Sequence, residues 1–89
     1  MAHIIYTNGL VQEINPDNKR DFSLEELQRI VHGYIEPIHL PKNRLMIINE
    51  EGKLKGLPVN ILATREVQSQ GFNDVIVGDV LICNSDEVL

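Results

Sequence analysis

A chain of 89 residues buries only about 60 to 65 per cent of its unfolded surface, too little for two cores, so a single domain spanning 1–89 is expected. Its net charge of -5, from 13 acidic and 8 basic residues, argues against direct binding to nucleic acid or anionic membrane. Two Tyr, two Phe and no Trp leave little to stack on unpaired bases, and the one cysteine excludes an internal disulfide or a multi-cysteine metal site.

Taken in order, His3-Ile4-Ile5-Tyr6 is β-prone, Asn8-Gly9 signals a tight turn, and Leu10 to Ile14 is a partner strand; an N-terminal hairpin over 3–14 is expected. Asn15 to Asp21 is a polar, turn-rich surface loop carrying Lys19 and Arg20. Ser23 and Glu26 form the S-x-x-E capping box, with Phe22 placed to staple onto Leu27. Leu24, Leu27, Ile30 and Val31 then share one helical face, and Gly33 stands where a left-handed terminating residue is expected. Tyr34 to Leu40 is extended, and Pro37, lacking a donor, places it at a sheet edge or bulge. After the turn Pro41-Lys42-Asn43, Arg44 to Ile48 makes a strand antiparallel to it. Its apolar run suggests a central place, covered on both faces or by a helix on one side and a partner subunit on the other.

That strand leads into the polar turn Asn49-Glu50-Glu51-Gly52, a short extended return through Lys53-Leu54-Lys55, and a Gly56-Leu57-Pro58 corner. Asn60 stands at an N-cap, and a short helix runs from about Ile61 to Gln68, with Val59, Leu62, Ala63 and Val67 roughly on one face. Ser69 to Asp74 is a loop. Val75 to Cys83 is β-branched and broken at Gly78-Asp79, read as one bulged strand or two meeting at a turn, before a polar tail over 84–89. The expected fold is α+β: a mostly antiparallel sheet of four or five strands with two helices on one face.

The run from Asn49 to Asn60, followed by Ala63-Thr64, resembles a family of small proteins from bacteriophages and mobile elements, catalogued as domain of unknown function number three-eight-four-six. Gly33-Tyr34-Ile35-Glu36 and Asp74 to Leu81 fit the same pattern, so the likeness spans a core over roughly 24–82. It implies a phage-type setting and supplies no functional residue.

Catalytic constellations are missing from the sequence. His3, His32 and His39 have no metal-ligand spacing, Cys83 ends an apolar run as a core residue would, and Glu50 and Glu51 are adjacent in a turn, where their side chains diverge. No phosphate-binding glycine pattern is present. The expectation is therefore a non-enzymatic protein with no cofactor, no metal and no catalytic residue. Extended Lys53 and Lys55 would point to one face just ahead of the open amides of the helix starting after Asn60, a combination suited to an anion. Arg44, Thr64 and Arg65 could join Lys53, Lys55 and Asn60 in a ligand site. The alternative is that Asn60 only caps its helix and the lysines are solvated.

Two functions follow as expectations. One is a counter-defence sponge, an oligomer sequestering a nucleotide-like host immune signal; the other is a protein inhibitor docking on a host enzyme through an acidic or apolar surface. A sheet with helices on one face would leave the other bare, so a homodimer or higher oligomer is expected. With no basic leader at Met1-Ala2-His3 and no apolar run near the ~18 residues of a membrane span, a cytoplasmic location is expected.

Overall fold

The computed structural model describes residues 2–88. Five strands, β1 (Ala2–Ile5), β2 (Val11–Ile14), β3 (Ile35–Leu40), β4 (Arg44–Asn49) and β5 (Val80–Asn84), form one sheet in the order β2-β1-β5-β4-β3, with every pair antiparallel. Helix α1 (Leu24–Val31) joins β2 to β3, helix α2 (Ile61–Ser69) joins β4 to β5, and a 3-10 turn (Ser85–Glu87) follows. The molecule is thus α+β, as the sequence pattern implies. Met1 and Leu89 lie outside the described residues.

The two helices lie on opposite faces of the sheet, which corrects the expectation of two helices on one face. Successive residues of a strand point to opposite sides. On β4, Leu45 and Ile47 pack with Leu27 and Val31 of α1, whereas Met46 packs with Ala63 and Val67 of α2. On β5, Leu81 and Cys83 join the α1 side and Val80 and Ile82 the α2 side. Both cores are needed because β4 and β5 are apolar on both faces, and only a helix on each side removes all of that surface from water. The argument for a partner subunit from one bare sheet face therefore falls.

Helix α1 starts where the capping box places it. The Ser23 hydroxyl accepts from the Glu26 N–H at 3.1 Å, and Glu26 Oε1 accepts from the Ser23 N–H at 2.9 Å. Glu26 Oε2 accepts from the Asp17 N–H at 2.9 Å, so one buried carboxylate also ties down the polar loop before the helix. Phe22 and Leu27 share one core cluster, as a staple requires. Leu24, placed on the core face by its spacing, is exposed instead. At the other end His32, not Gly33, takes the left-handed conformation (φ 66°). Gly33 is required for clearance: a Cβ there would sit 2.8 Å from Asn49 Nδ2 and 3.0 Å from Lys55 Nζ.

The Ser23 N–H, then the Asp17 N–H, the Ser23 hydroxyl and Arg29, hold the Glu26 carboxyl below its ordinary value of 4.5 against the opposing effect of burial. A lowered native value means stability that is present above 4.5 and is lost as pH falls through the native value. The stability gap between the native chain and Glu26→Gln is accordingly expected to be full at neutral pH and to close in acid. Urea midpoints at the two ends of that range measure it, and a gap that ignores pH would remove the assignment.

Candidate functional site

The stretch from Asn49 to Asn60 does not make the extended return expected of it. Residues 50–56 form successive turns, closed by Gly52 N–H to Asn49 O, Lys55 N–H to Glu51 O, Gly56 N–H to Lys53 O and Leu57 N–H to Gly52 O. Lys53 and Lys55 are consequently not alternate residues of a strand, and each finds its own carboxylate. Lys53 Nζ donates to Asp74 Oδ1 at 2.7 Å, while Lys55 Nζ lies 4.0 Å from Glu51 Oε1.

The remaining candidates are likewise occupied or apart. Arg44 Nη1 donates to Glu66 Oε1 at 3.4 Å, tying β4 to α2. The Thr64 hydroxyl accepts from the Ile76 N–H at 2.9 Å and faces the Ile76 carbonyl at 3.3 Å. Arg65 is exposed on α2. Asn60 does cap α2, since its Oδ1 accepts from the Ala63 N–H at 3.1 Å, but the residue is 0 % exposed. Its Nδ2 donates to the Ile5 and Gly78 carbonyls, both at 2.9 Å. Asn60 is thus a buried joint between the ends of β1, α2 and the approach to β5, with its side chain turned away from solvent. The structure brings Asn60 and Thr64 together through the 76–78 segment and does not gather the six residues into one anion site.

Histidines and cysteine are equally dispersed. His32 Nε2 lies 3.3 Å from Asp79 Oδ2, whose Oδ1 accepts from the Thr7 N–H at 3.0 Å. Cys83 is buried in the α1-side core, where burial above all, with Glu87 and Asp86, pushes its thiol up to about 12; it is protonated and inert at neutral pH. No cluster of three or more His, Cys, Asp or Glu placed to hold a metal ion occurs among the described residues, and none of their helices is long and apolar enough to cross a membrane.

What the fold builds instead is a cleft of ≈ 560 Å³ on the α2 side of the sheet, within the range of small-ligand and peptide-anchor pockets. Register explains its floor. Glu36 and Ile38 of β3 pair with Ile48 and Met46 of β4, so all four face the α2 side. Helix α2 is short and buries only Ala63 and Val67, which leaves the β3 edge beyond its reach. The floor is Ile38 and Ile48, and Val67, Ile76 and Val77 make one wall. The lips are Leu54, from the 50–56 turns, and Phe72 and Val75, from the loop before β5. Leu54 is 88 % exposed, Phe72 41 % and Val75 42 %. The Lys53–Asp74 pair spans the lips; the Lys53 ammonium, then the Val75 N–H at 2.8 Å, hold the Asp74 carboxyl below its ordinary value.

Sequence reasoning missed this cleft because its parts come from β3, β4, α2 and two loops. The available signal was compositional: Leu54 between two lysines and Phe72 just after Gly71 are large apolar residues inside turn segments, where no core demands them.

A family model described as Domain of unknown function (DUF3846) matches residues 3–88. No curated protein and no solved structure matches the chain.

Proposed function

The chain belongs to the DUF3846 family, a domain of unknown function, and on that footing we propose that it is a non-catalytic accessory protein that docks on another protein, a host enzyme, through the cleft at β3. The observation that carries this reading is the pairing of an apolar floor with exposed apolar lips at Leu54, Phe72 and Val75. Water bears such a surface at a free-energy cost that burial against a partner removes. A phage-type counter-defence setting, in the host cytoplasm, is part of the same proposal. Sequestration of a nucleotide-like signal has less support, since the lysines and Asn60 are committed to separate carboxylates and to a buried cap.

Leu54→Asp changes an exposed turn residue and is expected to leave the fold intact while weakening capture of a purified host partner by about tenfold or more. Ile61→Asp, at an exposed position outside the cleft lining, should leave capture unchanged. Equal capture by both variants overturns the reading. A stoichiometric nucleotide adduct in native mass spectrometry, unaffected by Leu54→Asp, would favour sequestration in its place.

A further inference from the structure

We infer that the cleft selects a positively charged partner segment, in which a bulky apolar side chain is flanked by lysine or arginine. The inference rests on the docking reading above and adds the chemistry of the occupant.

The floor accounts for the apolar anchor: Ile38 and Ile48 are half-buried and offer branched aliphatic surface with no polar atom in their side chains. Charge accounts for the flanks. Glu36, Glu50 and Asp74 line the cleft, and Lys53 is the one lysine or arginine among its lining residues. Three carboxylates against one ammonium leave two in excess, and that ammonium is already held at 2.7 Å by Asp74. The carboxylates of Glu36 and Glu50 make no ion pair or hydrogen bond among the described residues, so two negative groups stand uncompensated beside apolar surface. An acidic segment meets like charge there; a basic one completes the pairing. Asp74 is also oriented, since the Val75 N–H fixes the same oxygen that Lys53 holds. The Lys53–Asp74 pair is solvent-exposed and therefore a weak tie, which an incoming guanidinium can replace with two parallel hydrogen bonds.

The edge itself sets the mode of binding. Pro37, in the middle of β3, has no N–H to donate, so a segment added along this edge would lack a ladder bond, which favours holding it through its side chains.

A random short-peptide library selected on the intact protein, with counterselection against Leu54→Ser, which removes the apolar lip without adding a charge, tests this. The expected enrichment is an aromatic or branched apolar residue flanked by Lys or Arg. Affinity for an enriched peptide should fall about tenfold in Glu36→Lys and weaken with added salt. Enrichment of uncharged or acidic peptides overturns the charge inference and leaves docking standing. No enrichment beyond the counterselected variant removes both. A dimer of the free protein that Leu54→Asp abolishes makes a second copy the occupant and also overturns the inference.

Discussion

Asn60→Ala is expected to destabilise the protein by about 3–5 kcal/mol, the sum of one lost helix cap, two lost hydrogen bonds to carbonyls and the cavity left at a fully buried site. The Asn60 side chain serves the Ala63 N–H and the Ile5 and Gly78 carbonyls at once, in a fully buried position. At about 0.05–0.15 kcal/mol per residue, a domain of this length cannot lose that much without nearing its folding threshold. A fall in melting temperature of about 12 °C or more follows, read by circular dichroism. Asn60→Asp separates the contributions, because it retains the acceptor for Ala63 and loses both donated bonds; it should remain severely destabilised. A ligand-binding cap would behave in the opposite way, with binding lost and the melting temperature held, and that result would return Asn60 to a functional role.

Met46→Ala and Ile47→Ala are expected to cost similar amounts, about 2–5 kcal/mol each, although the two residues are neighbours on one strand. Both are fully buried, Met46 against α2 and Ile47 against α1. Each truncation opens a cavity in a different core, so the double variant is expected to be unfolded at room temperature. Denaturant titration of the three variants measures this. A near-neutral Met46→Ala would mean that the α2 layer contributes little and that the sheet has one working face.

Local signals in the sequence were legible where the physics is local. The capping box at Ser23, the Asn8-Gly9 turn, Pro37 on an edge strand and the end of β4 at Asn49 each depend on a few adjacent residues. The assignment of helices to faces was not local. Leu45, Met46, Ile47 and Ile48 are apolar on both sides of the strand, so the run says that two layers exist and not which helix supplies each. Lys53-Leu54-Lys55 imitates strand alternation, yet Gly56 at φ 67° and the bond from the Leu57 N–H to the Gly52 carbonyl close it into a turn. The β-branched run from Val75 is split for a comparable reason. Gly78 adopts φ 80° against Leu57, Val77 bridges to Val59, and β5 begins only at Val80. The cleft was least legible, because it depends on where α2 stops covering the sheet, a property of tertiary packing.

Strand β5 lies between the β1–β2 and β3–β4 hairpins and, among the described residues, is the strand that hydrogen-bonds to both. It is also the last of these strands to be made, and its Ile82 pairs with His3 of β1, the first. During synthesis the two hairpins can form early, but they share no ladder until residues 80–84 have left the ribosome. Closure of the sheet is then a late, long-range event that carries the loop-closure entropy of nearly the whole chain. Until then the inner edges of both hairpins stand open, and this is the interval in which the nascent protein is most prone to pair with the wrong strand.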